Sequence, residues 1–183
     1  PEENEELQAA RQNKLNIWHR SDVLACLIEA QVSIAVAGTH GKTTTSTFLA
    51  TIMESADQDP SAVIGGVVPC YRSNFNAGKG KLLIAEADES DGSLVKFNAK
   101  VGLITNIELD HTNHYSCLKS LIKTMQTFAD KTENLLANYD CLNVRENIKA
   151  SKWWSIKTKE GMDFAALPIS MEGNQTIADI YEQ

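Results

Sequence analysis

The sequence predicts an α/β domain: a mostly parallel sheet with flanking helices. Three observations predict it. Short apolar runs of strand length, "VSIAVAG", "KLLIAEA", "KVGLITNI" and "ENLLANYD", read as buried strands. Stretches with apolar residues at helical spacing alternate with them. Three of the runs end in polar clusters, as strands do when their carboxyl ends line a ligand crevice.

Each element has its own signal. Residues 1–20 are polar, and a helix or a tail fits them equally. "RSDVLACLIEAQ" predicts a helix capped by Ser21 or Asp22, with Val23, Leu24, Leu27 and Ile28 as its apolar stripe. "VSIAVAG" is the first strand and ends at Gly38. "KTTTSTFLATIMES" predicts a helix with Phe48, Leu49, Ile52 and Met53 on one face. Its leading threonines are β-branched and weaken a helix start, so another requirement must favour them. "SAVIGG" is a second strand, and "VPCYRSNFNAGKGK" reads as a loop. "KLLIAEA" and "KVGLITNI" follow as strands. "SCLKSLIKTMQTFADK" is an amphipathic helix with a stripe of Leu118, Leu121, Ile122, Met125 and Phe128. "ENLLANYD" is a strand, "NVRENIKA" a short helix, and "SKWWSIKT" and "MDFAALPIS" two further strands. In "SKWWS" the paired tryptophans fit an apolar strand or packing face better than a platform for stacking bases.

Composition narrows the function. Among 183 residues the net charge is −7, so there is no basic surplus to neutralise a nucleic acid. The apolar runs fall well short of the roughly 20 residues of a membrane helix. Four cysteines, Cys26, Cys70, Cys117 and Cys141, stand far apart without metal-binding spacing. With the polar opening of the chain, these features predict a cytoplasmic protein with free thiols and neither nucleic-acid nor membrane partners.

The chemistry concentrates in three clusters. In "GTHGKTTT", Gly38 and Gly41 let the backbone turn tightly around an anion, and the following helix start adds its positive end. Lys42 supplies a charge for terminal phosphates, and Thr43 a hydroxyl suited to a magnesium shell. Against the G-x-x-x-x-G-K-[ST] pattern the first glycine is lacking, because Val36 stands there. In "LLIAEADESDGS", Glu86 closes an apolar run and suits a magnesium ion, whereas Asp88, Glu89 and Asp91 are expected as caps, outer supports or solvent face. In "GLITNIELDHTNHY", Thr105, Asn106, Glu108, Asp110, His111, Asn113 and His114 follow a strand. There His111 fits a metal ligand, a phosphate partner or a plain loop residue. A parallel sheet would bring all three clusters to one edge, with the parts needed for magnesium-assisted phosphoryl transfer.

These three motifs, in this order and spacing over residues 38–115, resemble the Mur ligases of bacterial cell-wall synthesis, and the alanine-adding branch most of all. The resemblance implies a P-loop-containing central domain, with residues 1–30 as a linker helix leaving a preceding domain. Residues 31–183 would be the central ATP-binding domain, incomplete at its C-terminal end. It implies that ATP phosphorylates the lactyl carboxylate of UDP-N-acetylmuramate and that the amino group of L-alanine attacks the acyl phosphate. Carried over by position, Gly38, Thr39, His40, Gly41, Lys42, Thr43, Thr44 and Asn106 would bind the nucleotide, with Lys42 on the β and γ phosphates. Thr43 and Glu86 would hold one Mg2+ and His111 a second, Lys42 and His111 being catalytic. His40 is expected near the acceptor, and Asn106 would orient ligands. Asn113 departs from the family's H-x-D-x-Y pattern, because an amide carries no charge, while Tyr115 is kept. Within the family a peptide-recycling ligase shares "GTHGKTTT". Outside it, a P-loop ATPase without ligation or a nucleotide-binding module that lost its chemistry remains open.

Overall fold

The computed structural model describes residues 4–110, 114–173 and 175–183. The apolar runs form the middle of one sheet. In chain order the strands are β1 (Val32–Ala37), β2 (Ser61–Val68), β3 (Ser73–Asn76), β4 (Leu82–Glu86), β5 (Val101–Ile104), β6 (Asn134–Asn138), β7 (Lys152–Ser155), β8 (Phe164–Glu172) and β9 (Gln175–Glu182). Their spatial order is β3-β2-β4-β1-β5-β6-β7-β8-β9. From β2 to β8 neighbouring strands run parallel, and only the outer pairs β2–β3 and β8–β9 are antiparallel. The helices are α1 (Glu5–Gln12), α2 (Arg20–Ala30), α3 (Lys42–Ser55), α4 (Leu118–Lys131) and α5 (Leu142–Asn147), with a 3-10 turn at Ser93–Lys96.

Strand alternation sorts the core onto two faces. Leu83 and Ala85 of β4 join a cluster with Ile28 of α2, Leu94 and Phe97, and Leu121, Met125 and Phe128 of α4. Ile84, between them, turns to the other side and joins Ala62, Ile64 and Val68 under Ala50 of α3. The predicted stripe of α4 is borne out, with Leu121, Met125 and Phe128 fully buried and Leu118 and Ile122 packed beside them.

Several local expectations are corrected. Helix α2 is capped by His19, whose Nδ1 accepts from the Ser21 N–H at 3.3 Å, while Asp22 reaches back to the His19 N–H at 3.0 Å. The cap thus stands two positions before Ser21 and three before Asp22, and Asp22 closes the capping box instead of starting it. Leu24 and Ile28 face the core, but Val23 and Leu27 are exposed. Helix α3 buries Ser46 and Ala50, with Leu49 and Met53 beside them, and exposes Phe48 and Ile52. Its first turn is fixed by the loop that precedes it, and that sets the rotation of the whole helix. The stretch read as a loop after β2 contains β3, and β9 returns alongside β8 as a hairpin.

Candidate functional site

The site grows from the loop between β1 and α3. Gly38 has φ +129°, and a Cβ there would lie 2.0 Å from Thr105 Oγ1. Only glycine lets the loop approach the end of β5 so closely. Gly41, at φ +82°, is the N-cap of α3 and leaves the helix N-terminus open.

The loop is stitched to the segment after β5. The Thr39 N–H donates to Asn106 O at 3.0 Å, and the Thr39 hydroxyl donates to Glu108 O at 3.0 Å. The His40 N–H donates to Asn106 Oδ1 at 2.9 Å, and Asn106 Nδ2 donates to His40 O at 3.0 Å. Thr105 Oγ1 donates to His40 O at 2.7 Å. The Thr39 hydroxyl and the Asn106 amide therefore brace the loop backbone and tie it to Asn106 and Glu108. The His40 ring is exposed, with Nε2 3.6 Å from Glu108 Oε2. Thr44 is exposed in the first turn of α3. His111 and Asn113 lie outside the described residues.

Thr43 and Glu86 meet as the sequence predicted. The Thr43 hydroxyl lies 3.0 Å from both carboxylate oxygens of Glu86, and the Gly65 N–H donates to Glu86 Oε2 at 2.8 Å. Gly65 and Gly66 belong to the site, a role that the "SAVIGG" strand assignment missed. A Cβ on Gly65 would lie 3.0 Å from both Glu86 oxygens, and one on Gly66 would lie 2.8 Å from the Thr43 methyl. Glycine inside a strand is the signal that could have found them, because it marks a close approach.

Of the three places open to Glu89, a cap, an outer support or the solvent face, the structure selects the outer support: the side chain is fully buried, and its Oε2 lies 2.8 Å from Lys42 Nζ. Asp88 Oδ1 is 3.8 Å from the same ammonium. Burial pushes the Glu89 carboxyl above the usual range; the hydrogen bond and charge of Lys42 pull the other way. The Tyr115 hydroxyl donates to Glu89 O at 2.6 Å, and burial raises that phenol.

Lys42, Thr43 and Glu86 open on one cavity of about 570 Å³, lined also by Arg20, Gly65 and Asn74. That size suits a small molecule or part of a larger one. Among the described residues no three His, Cys, Asp or Glu side chains converge as a metal group. A hydroxyl and a carboxylate held 3.0 Å apart are hard oxygen donors. They suit a magnesium ion that completes its shell with water and phosphate oxygens.

Residues 36–180 match the model of the Mur ligase middle domain. The whole chain is 64% identical to UDP-N-acetylmuramate–L-alanine ligase of Prochlorococcus marinus (strain MIT 9303), and spans 38% of that relative's length. A UDP-N-acetylmuramate-alanine ligase structure from Thermotoga maritima superposes with a TM-score of 0.83 at 20% identity, covering 100% of this chain and 42% of its own. The MurF ligase of Thermotoga maritima in complex with ADP superposes with a TM-score of 0.65 at 21% identity, covering 90% of this chain and 42% of its own. These structural likenesses bear on the fold.

Proposed function

The chain belongs to the Mur ligase family as its middle domain, and from that premise we propose that the full-length protein is the ATP-dependent ligase that joins L-alanine to UDP-N-acetylmuramate in peptidoglycan synthesis. The observation that carries the site is the convergence of Lys42, Thr43 and Glu86 on one cavity at the carboxyl ends of β1 and β4. A relative 64% identical along the whole chain supports the alanine-adding branch over the peptide-recycling one.

The proposed roles follow from position. The loop 38–41 and the N-terminus of α3 receive the polyphosphate of ATP, and Lys42 faces its terminal phosphates. Thr43 and Glu86 would hold Mg2+, which, when bound, offsets the charge of the phosphates and draws them toward the acceptor. Gly65 orients the Glu86 carboxylate through its N–H. Asn106 and Thr39 keep the loop from reorganising as charge develops, which preserves the electrostatic positioning that such transfers depend on. His111 is proposed to act on the γ-phosphate and acceptor carboxylate, and His40, exposed beside Glu108, to face the acceptor. The lactyl carboxylate takes the γ-phosphoryl group as the β–γ bond of ATP breaks and ADP leaves; the alanine amine then attacks the acyl carbonyl, loses a proton, and phosphate leaves. No described helix is long and apolar enough to cross a membrane, in keeping with the proposed cytoplasmic site of action.

The test is phosphate release from ATP by the full-length protein. Release should require UDP-N-acetylmuramate together with L-alanine. Release that ignores both would favour a plain ATPase, and a requirement for a tripeptide in place of alanine would favour the recycling branch.

A further inference from the structure

We propose that Glu89 is a positioning residue that competes with the polyphosphate for Lys42 and so sets how tightly the site holds nucleotide; this rests on the nucleotide site proposed above. An ammonium has three N–H donors and no acceptor. On Lys42 the partners are Gly38 O at 2.8 Å, Thr39 O at 3.3 Å and Glu89 Oε2 at 2.8 Å. The two carbonyls belong to the phosphate loop itself. Glu89 is the full charge of this set, and it comes from a different element, the turn after β4.

Glu89 is poorly able to follow the lysine. Its side chain is fully buried, and its backbone carbonyl accepts from the Tyr115 hydroxyl at 2.6 Å and from the Gly92 N–H at 2.8 Å. A phosphate that takes up Lys42 either draws the ammonium off Glu89 or shares it. Drawing it off costs the buried carboxylate its ion pair with Lys42, and sharing it places two anions on one cation. Both outcomes oppose binding. Asp88, 3.8 Å from the same ammonium, adds to the opposition from a more exposed position. A nucleotide held against this opposition also leaves faster. Glu89 thus lowers affinity and speeds release of the product.

Glu89→Gln keeps the size of the side chain and an amide oxygen for Lys42, and removes the charge. In the full-length protein, calorimetric titration with ADP should show Kd lowered by about tenfold. Steady-state phosphate release should show KM for ATP and kcat falling together, because product leaves more slowly. A merely structural role would weaken ADP binding or leave it alone, and that result in a folded Glu89→Gln overturns the proposal. Should that variant not fold, the wild-type protein crystallised with ADP decides. A Lys42–Glu89 separation beyond about 4 Å supports the competition, and an intact pair beside a phosphate that Lys42 does not touch overturns it. A wild-type protein that binds no ADP in the calorimeter removes the nucleotide site, and Glu89's role with it. Binding by the wild type without a gain in Glu89→Gln removes Glu89's role alone.

Discussion

Gly38→Ala tests whether the loop's shape is dictated by its contact with Thr105. Two costs add. A non-glycine residue at φ +129° is strained by about 1–3 kcal/mol. The new Cβ would stand 2.0 Å from Thr105 Oγ1, so the threonine must swing away. It then loses its bonds to Ala37 O at 3.3 Å and His40 O at 2.7 Å, each worth about 0.5–1.5 kcal/mol. The expected destabilisation is about 2–6 kcal/mol. Thr105→Ala alone should cost about 1–3 kcal/mol, the two hydrogen bonds. The double variant loses those bonds only once, so it should resemble Gly38→Ala and fall about 1–3 kcal/mol short of additivity. The assay is native-state hydrogen exchange at the Thr39 and Thr105 amides, which donate to Asn106 O at 3.0 Å and Ala37 O at 3.1 Å. Unchanged protection in Gly38→Ala, or costs that add within about 0.5 kcal/mol in the double variant, would refute the reasoning.

Three further outcomes are expected. Glu86→Gln should lower ATP-dependent phosphate release by at least about a hundredfold while the thermal melt stays near wild type; release within a few-fold of wild type would remove Glu86 from the site. Phe128→Ala, in the fully buried stripe of α4, should cost about 3–5 kcal/mol in denaturant unfolding, whereas Phe48→Ser on the exposed face of α3 should shift stability by less than about 0.5 kcal/mol; equal effects would show that α3 is rotated otherwise. Lys96 and the His19 N–H hold the Asp22 carboxyl below the usual carboxylate range. A depressed carboxylate stabilises above the unfolded pKa and loses that contribution as pH falls through the folded one. Wild type should therefore lose stability relative to Asp22→Asn as pH drops below about 4, measured by thermal melts across that range; parallel pH profiles would count against the cap.

The order of elements and the convergence of Lys42, Thr43 and Glu86 were legible because each depends on neighbours in the chain. A strand ending at Gly38 and a helix starting at Lys42 fix where the loop points. An apolar run ending at Glu86 fixes that carboxylate at the sheet edge, and a parallel sheet puts both ends on one side. The rotation of α3 was not legible, because Phe48, Ile52, Leu49 and Met53 are equally apolar and only the docked loop chooses between them. The strand at Ser73–Asn76 was hidden because its partner lies across a turn and its residues are mostly polar.

The sequence by itself determined the α/β class, the glycine loop between β1 and α3 and the family, since local patterning and contiguous motifs carry all three. Tertiary structure alone decided that Glu89, one of four acidic residues within six positions, is the fully buried partner of Lys42. It alone decided that Gly65 makes room for Glu86. The physical reason is that desolvation and steric room at a side chain are set by atoms distant in the chain, and no short stretch of sequence contains them.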